Sequence, residues 1–464
     1  MAQSSYLADR LAEYTCRLRY EHLPAEVVHE AKRRFIDSFA TALGAWNSEP
    51  HRIARRCALR TQSIPACTLL GGGKTSPEWA TFVNGLLVRY LDFNDTYLSL
   101  EPAHPSDNLS AVWAVGEIAG ATGRDLITAA TLAYEVQCRL CDAASLRQHG
   151  FDHVVYGAFS SCLAACHLLR LDVRRTAHAV GIAGVCNVAL RQTRAGELSM
   201  WKGCAFANAA RNGVFAAQLA AEGMTGPAPI FEGELGFMKL LTGPFTLAPM
   251  AAETGPAQPD DFMLRRTHIK YWPVEYHAQS AVDAALQLRT RIPHWSEIER
   301  IDVYTFDAAV DIIGKDPEKW RPRTRETADH SLPYCVAVAL YDGEVSLASF
   351  DDRHLQDQQL LQLVAKVQVH RDPDLSARYP DSIPNRLEIT LRRGEKLVAE
   401  VEFPRGHACN PVSDSELETK FRSLVAPLFG NERTEALLAG LWELENISQA
   451  SSLLEMFTLD HASL

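Results

Sequence analysis

The sequence predicts a mainly α protein: one large all-helical domain and a smaller α+β domain set between two stretches of helical chain. Three observations carry that prediction. Apolar residues recur at helical spacing through the first half; residues 243–259, rich in proline, glycine and alanine, end that pattern; beyond them, runs of period-two alternation appear among shorter helical stretches. Residues 405–464 return to helical periodicity, so the division is read as 1–262 with 405–464, and 263–404 between them. Periodicity alone leaves open whether the tail rejoins the first domain.

Between residues 24 and 44, Val27, Ala31, Phe35, Phe39 and Leu43 fall on one helical face. Pro24 stands where a helix can start and Gly44 where one can stop. Residues 78–91, 107–122, 125–144, 154–171 and 174–190 repeat the pattern. Residues 205–221 are so rich in alanine that neighbouring helix axes can approach closely, which predicts a central, buried helix. In the smaller domain, residues 298–304, 367–369, 386–391 and 397–403 alternate as strands. The last two flank a short connection containing Gly394, a hairpin signal. Helical patterns at 274–288 and 330–341 lie among these strands, and 413–428 and 434–444 close the chain.

The composition is 47% hydrophobic and 22% charged, which excludes a disordered or collagen-like chain. A net charge of −11 argues against nucleic acid as a partner, because phosphate binding needs a dominant basic face. A small anionic substrate needs only a local cluster of cations. The start has no basic segment leading into an apolar one, and no run of about 18 apolar residues occurs, so neither export nor a membrane partner is expected. Eleven cysteines are then read as reduced thiols of a cytoplasmic protein.

Two motifs suggest chemistry that their context does not support. Gly71-Gly72-Gly73-Lys74-Thr75 resembles a phosphate loop, but the glycine required five residues before Gly73 is Thr68, so a polar loop is expected. Cys138 and Cys141, like Cys162 and Cys166, lie within helical stretches, where cysteine packs as a small hydrophobe. An iron–sulfur cluster would need three or four cysteines gathered in loops.

Four segments carry more weight. Asp92-Phe93-Asn94-Asp95-Thr96-Tyr97 with His104-Pro105-Ser106-Asp107-Asn108 is the densest polar set, more than a helix cap requires. Gly150-Phe151-Asp152-His153 reads as a capped helix start or a site. Arg191-Gln192-Thr193-Arg194 and Ser199-Met200-Trp201-Lys202 place three cations where the alanine-rich helix begins, an end that favours anions; a bound anion would offset the mismatch. Lys270-Tyr271-Trp272-Pro273 with His277 brackets a turn before a helix.

These segments, with 329–334, 379–385 and 406–408, run in order through most of the chain, and the sequence resembles the MmgE/PrpD family of 2-methylcitrate dehydratases and cis-aconitate decarboxylases. The resemblance implies a helical domain built from both chain ends, an inserted α+β lid, a homodimer, and a small tricarboxylate substrate handled without metal, iron–sulfur cluster or other cofactor. His104-Pro105-Ser106-Asp107 resembles the dehydratases, since the decarboxylases typically carry glycine where Asp107 stands. Pro102-Ala103 replaces the Trp-Gly common before this histidine, which points to a different substituent near His104.

Dehydrating such an acid needs a base, a proton for the leaving oxygen, and cations for several carboxylates. The resemblance assigns His104 and His153 to acid and base, in an order left open, and Lys202, Lys270, Arg191 and Arg194 to carboxylates. Asp92 would orient a lysine or histidine, Thr96 and Tyr334 would donate hydrogen bonds, and His277 would hold a carboxylate. Decarboxylation of cis-aconitate or epimerisation of a dicarboxylate are rivals at the same site. A non-catalytic helical binding protein is a third reading, disfavoured by the intact set of histidines and lysines.

Overall fold

A computed structural model describes residues 6–196 and 198–459, and the chain is mainly α. Residues 6–196, 200–267 and 413–459 make a helical unit; 268–412, with 198–199, make a second unit. The C-terminal helices thus belong with the N-terminal ones.

The helical unit runs through α1 (Leu7–Arg17), α2 (Ala25–Gly44), α3 (Glu49–Ala58), a short hairpin of β1 (Cys67–Thr68) and β2 (Lys74–Thr75), α4 (Pro77–Tyr90), α5 (Leu109–Ile118), α6 (Gly123–Ala143), α7 (Val154–Leu168), α8 (Val173–Cys186) and α9 (Trp201–Ala221). Local chemistry starts several of these. Ser76 accepts the Trp79 N–H ahead of Pro77, Thr122 and Asp125 form a capping box on α6, and Asp172 accepts the Arg175 N–H at 2.8 Å to open α8. The tail helix Asp414–Phe429 packs along α2, where Lys420 lies 2.7 Å from the buried Asp37 and donates to the Phe93 carbonyl.

The alanine-rich helix α9 sits against α4 and α7. Its close approach to α7 depends on Gly213: a Cβ there would lie 2.6 Å from the Ala158 carbonyl oxygen and 2.8 Å from the Cys162 nitrogen. Gly157 on α7 leaves room in turn for the Phe206 ring. Small residues thus bring two helix backbones almost into contact, and the two helices begin at His153 and near Lys202.

In the second unit, β3 (Ile298–Thr305), β4 (Val367–Arg371), β5 (Asn385–Leu391) and β6 (Lys396–Val401) form a sheet in the order β4-β3-β5-β6. β4 runs parallel to β3, and the other pairs are antiparallel, with Val303 opposite Leu387 and Ile389 opposite Leu397. Gly394, at φ +83°, closes the expected β5–β6 hairpin. Helix α10 (Gln279–Arg289) packs on β5 and β6, and the helix Leu332–Asp342 packs on α10.

Several boundaries differ from the sequence pattern. Residues 263–267 join the helical unit, because Glu135 accepts the Met263 N–H and Arg34 donates to the Leu264 and Thr267 carbonyls. Residues 405–412 stay with the second unit, because Asp283 accepts the Arg405 N–H and His268 accepts the Ala408 N–H. α10 starts only at Gln279, whose side chain holds residues 272–274 as a turn. α9 starts at Trp201, so Lys202 lies inside its first turn. The helices α1 and α3 were not anticipated.

Candidate functional site

The loop after α4 folds back on itself. Tyr97 and Ala103 exchange backbone hydrogen bonds of 2.8 and 2.9 Å, which returns His104 to the neighbourhood of Asp92 and Asp95. A second juncture pairs 150–152 with 189–191: the Asp152 N–H donates to the Ala189 carbonyl and the Arg191 N–H to the Gly150 carbonyl. Gly150, at φ +84°, makes the turn that allows it. These two junctures bring three of the four sequence motifs together on the helical unit.

The result is a buried, charged cluster. The His104 and His153 rings lie 5.9 Å apart between centroids. Arg89 donates to Asp92 at 2.6 Å and to His104 Nε2 at 3.0 Å. Lys202 donates to the other Asp92 oxygen at 2.9 Å. Asp92 therefore bridges two cations, and it does so from a left-handed backbone, φ +51°, which few non-glycine residues adopt. It is also the anion that offsets Lys202 at the N-terminal end of α9.

On the His153 side, Asp152 lies 2.9 Å from Nδ1 and accepts from Arg194 Nε at 3.0 Å. Burial alone would raise the Asp152 carboxyl, but Arg194 and His153 overcome it and hold it far below the usual range. Burial lowers the His153 imidazole against the pull of Asp152, which favours the neutral ring. Burial pushes Asp107 up to about 8 despite Arg89, so this carboxyl keeps its proton at neutral pH. Behind the loop, Asp95 accepts the Ser106 N–H and the Tyr134 hydroxyl, and Asn94 donates to Ser106 and Asp107. Ser106, Asp107 and Asn108 do not cap α5; they knit the loop to itself and to α6 and α7.

Other expected residues have more modest places. Thr96 donates its hydroxyl to the Ala103 carbonyl, which closes the loop. Arg194, expected on a substrate carboxylate, places its Nε on Asp152. Arg191 is half-buried in the 3-10 turn Arg191–Arg194. His153, whose simplest reading was an exposed residue beside a cap, is buried.

The second unit holds a cluster of its own. His277 Nδ1 lies 2.7 Å from Glu275, and its Nε2 lies 3.3 Å from the Tyr379 hydroxyl. Lys270 is buried there, and with His277 and His330 it helps hold the Glu275 carboxyl down at about 2 against burial. Tyr334 is fully buried, and its hydroxyl donates to the Ser349 carbonyl at 2.9 Å, a core contact.

Lys74 of the glycine-rich loop is paired with Glu117 at 2.6 Å. Cys138, Cys141, Cys162 and Cys166 are buried in helices, and burial pushes the first two and Cys166 well up. Among the described residues, no group of three or more His, Cys, Asp or Glu side chains is placed to hold a metal ion.

Comparison with known proteins bears on this arrangement. The MmgE/PrpD N-terminal domain model matches residues 9–250, and the MmgE/PrpD C-terminal domain model matches 272–444. The chain belongs to the MmgE/PrpD family. It is 31% identical over 428 residues to the 2-methylcitrate dehydratase of Cupriavidus necator, covering 82% of this chain and 86% of that one. It is 28% identical over 433 residues to the 2-methylcitrate dehydratase of Escherichia coli K12, with the same coverage. The cis-aconitate decarboxylase of Mus musculus is 26% identical over 460 residues, covering 94% of this chain and 90% of that one. The MmgE/PrpD chain is thus an enzyme, and no described helix is long and apolar enough to cross a membrane.

In this MmgE/PrpD enzyme the sequence reading missed Arg89, the residue that ties Asp92 to His104, because at the end of α4 it looks like an ordinary last-turn cation. The i, i+3 spacing to Asp92 was the available signal. It also took Asp152 for a cap. The Asp-His dipeptide, repeated at Asp329-His330, was the signal there.

Proposed function

We propose that this protein is a hydro-lyase that dehydrates 2-methylcitrate, and citrate as a further substrate, to the corresponding unsaturated tricarboxylate using its own side chains as acid and base. The observation that carries this reading is the buried cluster in which His153, backed by Asp152, lies beside His104 and the Arg89–Asp92–Lys202 bridge. An imidazole of this cluster can take up a proton near neutral pH, and a second lies beside it. Arginine and lysine supply charge for carboxylates, including the one that gains negative charge as the adjacent C–H proton leaves. The dehydratase relatives from Cupriavidus necator and Escherichia coli support the substrate class.

Lys270 and His277 are proposed as carboxylate ligands on the strength of the resemblance, and Arg191 as a further cation. Thr96 and Tyr334 spend their hydroxyls on backbone carbonyls, so their contribution is to hold the chain in place. We also propose a homodimer; Leu190, Met200 and Trp201 are apolar side chains exposed on the helical unit. Analytical ultracentrifugation would report the mass.

The deciding experiment incubates purified protein with a panel of tricarboxylic acids in the presence of a chelator. Dehydration gives an unsaturated acid seen at the ultraviolet edge; decarboxylation releases carbon dioxide. Carbon dioxide without an accumulating tricarboxylate would replace this reading with the decarboxylase one. No product from any acid would reject both.

A further inference from the structure

The structure assigns the two histidines different work: we propose that His153 is the base that removes the substrate proton, and that Asp152, held by Arg194, is its positioning residue. The inference rests on the hydro-lyase reading above and deepens it.

A carboxylate repels a ring lone pair and attracts an N–H, so an Asp152 oxygen 2.9 Å from His153 Nδ1 favours the proton on Nδ1. In the neutral ring Nε2 then carries the lone pair. That atom is buried and has no hydrogen-bond partner among the described residues, which is costly unless a ligand supplies one. His104 has the same tautomer for a different reason. Its Nδ1 faces the Asp95 carbonyl at 2.7 Å, and its Nε2 lone pair accepts from Arg89 at 3.0 Å. Of the two rings, His153 is therefore the one whose Nε2 lone pair no donor among the described residues occupies.

Arg194 adds a second feature. Its Nε is bound to Asp152, while its Nη2 is buried without a partner among the described residues. The base and a guanidinium N–H are thus anchored to opposite oxygens of one carboxylate. An acid whose acidic C–H lies next to a carboxylate fits that arrangement: the C–H faces His153 and the carboxylate faces Arg194.

The step balances as follows. His153 Nε2 takes the proton and becomes imidazolium, its new charge facing Asp152. The C–H electron pair moves toward the carboxylate on Arg194 and closes the C=C bond as the C–O bond breaks. Arginine does not give up a proton, and His104 Nε2 holds none, so the hydroxide leaves with a proton from the Lys202 ammonium. The imidazolium proton returns to the lysine through solvent, and the products are the unsaturated acid and one water.

The test is the pH profile of kcat/KM for three variants beside the wild type. Asp152→Asn should lower kcat about 100- to 10,000-fold with little change in KM, and should move the acid limb to lower pH, because the carboxylate that favours imidazolium is gone. His104→Gln should be slower yet keep the wild-type acid limb. If Asp152→Asn does not fold, His153→Ala serves: added imidazole should restore at least tenfold of its lost rate and none of the rate lost in His104→Ala. An unchanged limb in Asp152→Asn, a lost limb in His104→Gln, or imidazole rescue confined to His104→Ala would overturn the assignment. Wild-type protein that forms no unsaturated acid would instead remove the hydro-lyase reading.

Discussion

Asp92→Asn changes one atom type at the centre of the charged cluster and leaves the backbone undisturbed, since asparagine also tolerates the left-handed conformation that φ +51° requires. In the native protein one carboxylate meets Arg89 at 2.6 Å and Lys202 at 2.9 Å, and all three side chains are buried. Two unit charges about 4 Å apart attract by about 4 kcal/mol at an effective dielectric of 20. Asparagine forfeits two such attractions and leaves two buried cations facing each other. It also recovers the several kcal/mol that burying the carboxylate costs. The difference is a net loss of about 3 kcal/mol, in line with breaking a buried ion pair. Thermal melting of the full chain should show a drop of about 3–5 °C. A bound tricarboxylate would restore the missing negative charge, so citrate should raise the melting temperature of Asp92→Asn more than that of the wild type. A ligand at 100 times its dissociation constant stabilises by about 2.7 kcal/mol, enough to see. If the variant melts with the wild type, Asp92 is not the keystone of these cations. If it is destabilised but citrate helps both proteins equally, the cluster holds the fold and does not meet the substrate.

Other outcomes follow from the same geometry. His104→Ala and His153→Ala should each lose about 100- to 10,000-fold in turnover while keeping native circular dichroism; near-wild-type turnover in both would reject the site. Gly213→Ala should cost about 1–3 kcal/mol in stability, because its Cβ would press on the α7 backbone at 2.6 Å, and a melting temperature equal to wild type would mean α7 and α9 can separate freely. Tyr334→Phe should leave KM unchanged and cost about 1 kcal/mol, the loss of one buried hydrogen bond; a tenfold rise in KM would place its hydroxyl on substrate. Burial lowers His51 from 6.5 to about 4, so between those values the unfolded chain binds a proton that the folded one refuses, and stability falls as pH drops. From pH 7 to 5 that amounts to about 2 kcal/mol, and it should vanish in His51→Gln when the two proteins' urea midpoints are compared at both pH values.

How much of this was legible in the sequence depended on the range of the interaction. The helices of the first half and the β5–β6 hairpin follow from periodicity and from Gly394, which are local signals. α1 and α3 carry the same signal, with Leu7, Leu11 and Tyr14, and Ala54 and Ala58, at helical spacing, but charged residues on their outer faces lower their overall hydrophobicity and the pattern was passed over. The domain edges moved because single long-range hydrogen bonds, such as Glu135 to the Met263 N–H, decide them, and spacing carries no trace of those. In the site, His104, His153, Lys202 and Asp92 were nameable from residue type and resemblance, yet their partners were not. Nothing local says that residues 150–152 pair with 189–191, and that pairing is what turns Arg194 toward Asp152.

The cluster's charge balance gives those unnamed partners a common purpose. Arg89, Lys202 and Arg194 face Asp92 and Asp152, Asp107 keeps its proton, and Asp95 is answered from behind by Arg34 at 3.7 Å. Three cations against two carboxylates leave a single net positive charge. Such a site can stay folded without substrate, which an uncompensated set of three cations, Arg89 and Lys202 buried and Arg194 half-buried, could not. The trivalent acid proposed as substrate nevertheless asks for more than one positive charge. Either further cations such as Arg191 take part, or protein carboxylates give up partners as the substrate arrives. The second route favours the transition state over the ground state, since a substrate that draws Arg89 from His104 or Lys202 from Asp92 spends part of its binding energy on that exchange. Charge freed from Asp92 then meets the leaving oxygen, where Lys202 is proposed to give up its proton, while Arg194 is left to the carboxylate that gains the electrons, and both places lower the barrier.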